Sequence, residues 1–407
     1  MEISAVKHRS AVTTDSAFPQ RSIQLRTIDS IGRISSAQWD ACALADGQDN
    51  PFVRHAFLSA LEQSGSAVAA NGWGASHILA EDGTGRLLGC APLYLKSHSY
   101  GEYVFDWSWA EAWENAGGRY YPKLQCCVPF TPATGPRLLL RPDIDTPDAV
   151  SAALLGAMVT LAQRLKLSSA HLTFPTEAQA RQAQEQGWLL RMGEQYHWHN
   201  PGYSCFDDFL GALSSRKRKA IRKERERAQA QGLSFHCLSG ADLRPSHWDA
   251  FYRFYRNTVD RKWGQAYLTR DFFDLLGQSM ADRVVLMMAS QDGDWVAGAL
   301  NLLGQDTLFG RNWGAVGDYP FLHFELCYYR AMDFAIERGL ARIEAGAQGE
   351  HKVARGYLPV PTWSAHWIGH SGFSAAIADF LQRERQAIAG NMAALAGTSP
   401  YRRAADD

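Results

Sequence analysis

The sequence lacks most of the short signatures that identify an enzyme at sight. Its seven cysteines include no CxxC pair and no regular spacing, and the adjacent Cys126 and Cys127 cannot easily pair with each other. That pattern excludes a disulfide framework and reads as reduced thiols in a cytoplasmic protein. There is no GxxxxGK[ST] phosphate loop and no GxSxG nucleophile turn. His197-Trp-His199 presents two imidazoles, but no carboxylate or cysteine completes a metal site at a readable spacing, so no metal is expected. GTGRLLG at 83–89 imitates a dinucleotide loop, and hairpin chemistry explains it better. Long apolar runs are missing as well. The most apolar helix candidate, Ala149 to Ala162, is shorter than the ~20 residues that span a bilayer and runs into Gln163, Arg164 and Lys166. No membrane span is expected. Nor is there an excess of charge of one sign: a net charge of −1 excludes nucleic-acid binding through the overall field and leaves only a local patch for any polyanion.

What is present is a long chain with an ordinary globular composition. The 407 residues, 46% apolar and 20% charged, are too many for one ordinary core and suit two domains of about 150–200 residues. The chain also repeats itself. IQLRTI near residue 23 leads to SSAQWDACA, and LSFHCL near residue 233 leads to RPSHWDAFY, with Trp39-Asp40-Ala41 matching Trp248-Asp249-Ala250. FLSALEQS (57–64) matches FFDLLGQS (272–279). AEDGTGRLLGCAPLYL (80–95) matches ASQDGDWVAGALNLL (289–303), each with Asp-Gly between apolar runs, a strong hairpin signal. AMVTLAQRLKLSSAHLTF (157–174) matches AMDFAIERGLARIEAG (331–346). Five matches in one order indicate a duplication.

Each half therefore reads strand, helix, helix, hairpin, strand, helix, strand and a final hairpin, an α/β unit with a mixed, mostly antiparallel sheet flanked by helices. The expected boundaries are a disordered leader over 1–21, a first domain over 22–203, a basic connecting helix over 204–232, a second domain over 233–390 and a flexible tail over 391–407. The first half carries an insertion near 104–147, rich in Trp, Tyr, Gly and Pro, and a loop of that length is expected to be a lid or binding loop.

These features resemble the GNAT acyltransferase fold, present twice. NAGGRYYPKLQCCVPFTPATGPRLL (115–139), SSRKRKAIRKERERAQAQGL (214–233) and IEAGAQGEHKVARGYLPVPTWSAHWI (343–368) resemble the FemAB-like, peptidoglycan-related branch of tandem GNAT proteins. The resemblance covers roughly residues 30–385. It implies an N-acyltransferase that passes an acyl group directly to a small-molecule amine, with acyl-CoA as the donor. Aminoacyl-tRNA is the alternative donor, and a non-catalytic recognition protein is the alternative of another class. It also implies a site where the fourth and fifth strands splay apart, in the second half at TLFGRNW (307–313) and RIEAG (342–346).

GAQGEHKVARG (346–356) lies at that point. Amine acylation needs a base and oxyanion donors. Glu350, His351 and Glu344 are candidate bases, and Gln348, Lys352 and Arg355 are candidate substrate or anion holders. The plainer reading is a helix start with Glu350 near its positive end. Glu325 shares a helix face with Tyr328 and Tyr329 and is a further candidate base, or simply part of a core. Arg311, Gly314 and Gly317 resemble the Arg-x-x-Gly-x-Gly/Ala pyrophosphate loop, displaced by one position and followed by Tyr319-Pro320, with Trp313 beside them as a substrate contact. In the insertion, Tyr121, Lys123, Thr131 and Arg137 are candidate acceptor contacts, or members of a proline-stiffened packed loop. The basic run Arg216 to Arg227 reads first as a solvated helix face, with tRNA contact as the alternative. Oligomeric state is left open.

Overall fold

The structure is a computed structural model and describes residues 23–45, 49–261, 264–346 and 349–402. Gln348 lies outside the described residues. The Asp-Gly pairs turn the chain as their composition requires. Asp292 and Gly293 both take positive φ, 51° and 91°, the combination that joins two twisted strands by a two-residue turn. At the equivalent turn the Asp82 carboxylate accepts from Thr84 N and Arg86 N, which holds a wider loop. Helix starts follow the same logic. Ser35 accepts from Gln38 N to open Ser36–Ala43, and Thr269 accepts from Phe272 N to open Arg270–Ser279. Pro245 occupies the first turn of Pro245–Arg261, where a missing N–H costs nothing.

Of the described residues, the first compact unit comprises 23–45, 49–62, 67–191 and 363–383. Its strands are β1 Gln24–Ile28, β2 Trp73–Ala75, β3 His77–Glu81, β4 Leu87–Ala91, β5 Leu93–Lys96, β6 Lys123–Cys126, β7 Leu139–Leu140, β8 Ser169–Thr173 and the start of β9 Leu189–His199. β1, β3, β4 and β7 form one antiparallel sheet. β2, β5 and β6 pair antiparallel, and β6 runs parallel to β8. The helix Pro147–Arg164 buries Val150, Leu154, Leu155 and Met158 against β3, β4 and β8 in the main core.

Of the described residues, the second unit comprises 63–66, 192–261, 264–346, 349–362 and 384–402. It holds most of β9, all of β10 Ser234–Leu238, β11 Val284–Gln291, β12 Asp294–Leu303, β13 Thr307–Ala315 and β14 Arg342–Glu344, and the start of β15 Leu358–Ile368. β10 to β13 are antiparallel neighbours in chain order, and β13 pairs parallel with β14. β10–β11–β12 repeats the pairing of β1–β3–β4, so the duplicated segments adopt one topology. Both units are α/β with mostly antiparallel sheets.

Two expectations differ from the structure. The final hairpins are single strands of 11 residues, β9 and β15. β9 pairs with β14 in the second unit, and β15 pairs with β8 in the first, so each half contributes its last strand to the other unit. A hairpin needs turn chemistry at its apex, and Gly193-Glu194 lacks it because Gly193 does not take positive φ. Second, the insertion is not one long loop. It builds the helix Trp107–Asn115 and β6, which lies between β5 and β8 with all four residues buried. Lys123 and Gln125 disguise β6 in the sequence, because buried strands are usually apolar. Among the described residues no helix is long and apolar enough to cross a membrane, and no cluster of metal-ligating side chains occurs.

Candidate active site

In the second unit, β13 and β14 pair only over Thr307–Phe309 and Arg342–Glu344, while β13 continues to Ala315. The stretch that follows β14 begins where that pairing stops. Gly346 and Gly349 take φ of 78° and 110°, open to glycine at little cost. A Cβ on Gly349 would lie 2.3 Å from the His351 ring, so the missing side chain lets the imidazole fold back over the chain. A short 3-10 helix, Glu350–Arg355, then ends on Gly356 in the left-handed region.

Two of the cations in this stretch hold it in place. Lys352 is buried, and its Nζ donates to the carbonyls of Ala345 (2.7 Å) and Gly346 (2.9 Å). Burial pushes its pKa down to about 8, since no carboxylate neutralises it. Arg355 donates to both Glu224 oxygens (3.1 and 2.9 Å) and to the His351 carbonyl (2.8 Å), and lies 3.4 Å from the Phe324 ring centre. With these two committed inward, Glu350 and His351 remain exposed.

His351 Nε2 lies 3.0 Å from the Tyr328 hydroxyl. Partial burial, then Arg355 and Lys352, hold the imidazole below its ordinary pKa, so it is neutral at pH 7. Burial raises the Tyr328 phenol, which therefore stays protonated. His323 joins Trp313 (5.2 Å) to Tyr328 (5.4 Å), completing a row of rings beside His351. The tyrosine sits on a π-helical turn, Glu325–Tyr329, inside the helical segment 322–337. Such turns often occur at functional sites. Glu344, at the end of β14, is buried, with its carboxylate 3.9 Å from His197 Nε2 and 3.8 Å from Arg342 Nε. Burial and Arg342 lower His197 to about 3, so the His197 contact is not an ion pair.

Other expected site residues are elsewhere. Glu325 is fully buried and paired with Arg225 (3.1 Å) and Arg330 (3.1 Å), with Gln229 at 3.3 Å, so it is committed to an ionic core rather than available as a base. Lys352 and Arg355 are likewise bound to protein groups and position the stretch instead of facing an anion. Arg311 and Gly314 lie within β13, and Gly314 is packed so closely that a Cβ would meet Phe254 O at 2.1 Å. Gly317 follows the strand, and Val316 N beside it donates to Val296 O. The expected pyrophosphate cradle is thus largely strand.

Tyr121, Lys123, Thr131 and Arg137 belong to the first unit. Arg137 is buried and donates to the carbonyls of Thr173, Gly135, Pro136 and Ala133. Thr131 donates to Pro129 O. Lys123 is the centre of a buried cluster. Its Nζ donates to Glu102 (2.7 Å), Asp106 (2.5 Å) and Ser99 (2.8 Å), and the Tyr121 hydroxyl bonds Ser99 (2.8 Å). Tyr120 also donates to Asp106 (2.7 Å). Burial alone would lower Lys123, but the two carboxylates hold its pKa above the ordinary value.

The cluster continues across one sheet face. Lys96 is the register partner of Lys123, Gln125 of His171, and His171 of His366. His171 Nδ1 and His366 Nδ1 are 2.7 Å apart, and the rings end on Ser169 (2.8 Å) and Ser364 (2.9 Å). Burial drives His171 to about 3 and His366 well below its usual value, so both are neutral. Sequence reading missed Lys96, Glu102, Asp106, His171 and His366. The available signal was polar residues at period two inside apolar strands, Lys123/Gln125, Ser169/His171/Thr173 and Ser364/His366.

A family model described as peptidoglycan biosynthesis/recognition, FemAB-like, matches residues 30–403. A comparison of the sequence with curated proteins finds no match. Among solved structures, FemX superposes with a TM-score of 0.52 at 11% identity, covering 85% of this chain and 98% of that one. The C-terminal domain of a putative lysylphosphatidylglycerol synthetase from Agrobacterium fabrum gives 0.52 at 11% identity, covering 86% and 97%. At these identities the structures share the fold.

Proposed function

This chain belongs to the FemAB-like family, and from that premise we propose that it transfers an aminoacyl group from aminoacyl-tRNA to the amine of a peptidoglycan-precursor peptide. One observation carries the choice of donor. The helix Ser215–Gln229 holds the His351 stretch with one face and offers cations on another. Glu224 pairs with Arg355 and accepts from Tyr329, while Arg225 pairs with Glu325 and Asp333 (2.6 Å). Arg216, Lys219, Arg222, Lys223 and Arg227 are exposed on the same helix. Among these only Arg222 has a carboxylate partner among the described residues, Asp207 at 3.2 Å. Such a face suits phosphates, and binding there would release counterions. Coenzyme A is the weaker donor because the stretch expected to cradle its pyrophosphate is mostly strand.

In this reading the acceptor amine attacks the ester carbonyl carbon and forms the C–N bond. The amine proton passes to His351, whose Nδ1 lone pair is free when Nε2–H donates to the Tyr328 oxygen. Collapse of the oxyanion breaks the C–O bond, and the ribose oxygen leaves with that proton. Glu350, exposed beside His351, is the second candidate base, and Glu344 backs the site from β14.

The test compares donors. Purified protein is given labelled aminoacyl-tRNA or acetyl-CoA with a peptide amine acceptor, and product is followed. Transfer from aminoacyl-tRNA, with tRNA affinity falling steeply with salt, is expected. Transfer from acetyl-CoA alone, or specific acceptor binding with no transfer from either donor, would replace this reading.

A further inference from the structure

The segment Ser97–Trp107 crosses the Lys123 cluster as a strap with two unlike sides. Its inward side is polar and tied down at several points. Ser99, Glu102 and Asp106 receive the Lys123 ammonium, and the Tyr100 carbonyl receives Lys96 Nζ (3.3 Å). Arg191 Nη1 donates to Phe105 O (2.7 Å), and Phe130 N to Gly101 O (3.1 Å). Gly101 has φ of 80°, and a Cβ there would meet the Phe130 ring at 2.5 Å, so the strap lies directly on that ring.

The outward side is aromatic. Tyr100, Phe105 and Trp107 are 55%, 49% and 48% exposed and account for half of the exposed large hydrophobic residues among those described. They touch one another, with ring centres 4.9 Å apart for Phe105 and Trp107 and 5.9 Å for Tyr100 and Trp107. Isolated exposed aromatics are unremarkable, but a contiguous group held rigidly marks a binding surface. Ordering such a surface costs little on binding because the strap is already fixed.

Its charge pattern selects the occupant. The only ionisable acids of the strap, Glu102 and Asp106, are buried, and the strap contains no lysine or arginine. A bilayer with anionic lipid would call for cations. Here the next turn of helix instead exposes Glu111 and Glu114. What fits uncharged aromatic faces with a Tyr hydroxyl and a Trp N–H at their edges is a ligand with an apolar C–H face and a hydroxyl rim. We infer that Tyr100, Phe105 and Trp107 form a docking platform for a pyranose ring of a glycan. This rests on the acceptor half of the reading above, in which the acceptor peptide belongs to an amino-sugar polymer precursor, and it is independent of the donor.

The experiment is titration calorimetry of the full chain with a β-1,4-linked N-acetylglucosamine tetramer, alongside Trp107→Ala, Phe105→Ala and, as a control at an exposed apolar residue outside the strap, Leu165→Ser. The parent and Leu165→Ser should bind alike. Each aromatic variant should bind roughly tenfold more weakly, the scale of one well-made aromatic contact, with an unchanged melting temperature. Absence of binding by the parent, or equal binding by all variants, overturns the platform. So does a Trp107-dependent association with neutral phosphatidylcholine vesicles, or a Trp107-dependent dimer in sedimentation, either of which assigns the surface to another occupant. Because the readout is binding, it can fail while transfer from aminoacyl-tRNA stands, and the reverse.

Discussion

Lys123 and Lys352 are both buried ammonium groups, and they are neutralised in opposite ways. Lys123 meets two carboxylates, and its pKa is held above the ordinary value. Lys352 meets only two carbonyls, and its pKa falls to about 8. A buried charge is costly unless it is paired, so the first arrangement locks a proton in place and the second holds one loosely. The difference extends to their surroundings. Around Lys123 the polar groups face inward, and Lys96, Glu102, Asp106 and Lys123 are all buried. Around Lys352 and Arg355 the inward bonds leave Glu350 and His351 at the surface. One region spends its charges on holding its fold, and the other uses two cations to present two groups to solvent.

That contrast can be broken most directly at Lys123. Lys123→Met would leave Glu102 and Asp106 buried without their cation, and we expect a loss of about 3–5 kcal/mol in chemical denaturation, the usual result of removing one partner of a buried pair. A loss below about 1 kcal/mol would mean that the cluster is not structural. The reverse result is expected at His351. His351→Asn should lower transfer roughly 10²–10⁴-fold, the range for a general base, with a melting temperature near that of the parent. Parent-like turnover in His351→Asn, with the loss appearing in Glu350→Gln, would move the base to the carboxylate.

Lys352→Met lies between these cases. It removes two bonds to carbonyls in a chain turn, and about 1–3 kcal/mol of stability should go with them. Turnover should fall as well, because the stretch that presents His351 loses its anchor. A turnover loss with no change in stability would instead place the ammonium at the reacting atoms.

Acid should distinguish the regions next. His171 and His197 titrate near 3 in the folded protein against 6.5 when free, and His366 is also lowered. Between those values the unfolded chain binds more protons, so stability must fall as pH drops below about 6.5. Glu102, raised to about 7 by burial, acts the other way between 4.5 and 7 and offsets part of one histidine's effect. The net expectation is a melting temperature that declines from pH 6.5 towards 4, more shallowly in His366→Leu. A flat profile would show that the histidines are not buried neutral.

The smallest effect on stability belongs to the basic helix. Replacing Arg216, Lys219 and Lys223 with glutamine should change stability by no more than about 0.5 kcal/mol per site. The same variant should flatten the salt dependence of tRNA binding. An unchanged salt slope would return this face to simple solvation.

Period, turn chemistry and repetition are local properties, and they made the duplicated α/β topology, the Asp-Gly turns and the stretch after β14 legible in the sequence. They also placed Glu350, His351, Lys352 and Arg355 together, since those residues lie within one turn of the chain. The roles were another matter. Glu325 shares a helix with Tyr328, yet its environment is fixed by Arg225, a hundred positions earlier. Arg355 is oriented by Glu224, and Arg137 by carbonyls of its own turn and of β8. The Lys123 cluster draws on β5, β6, β8 and β15 together with the strap, and no spacing in the sequence brings those segments side by side. Local pattern is set by the geometry of each strand and helix. Which charge meets which, and therefore which group is spent on the fold and which is left to act, is set by long-range pairing across the sheet, including the last strand that each half gives to the other unit.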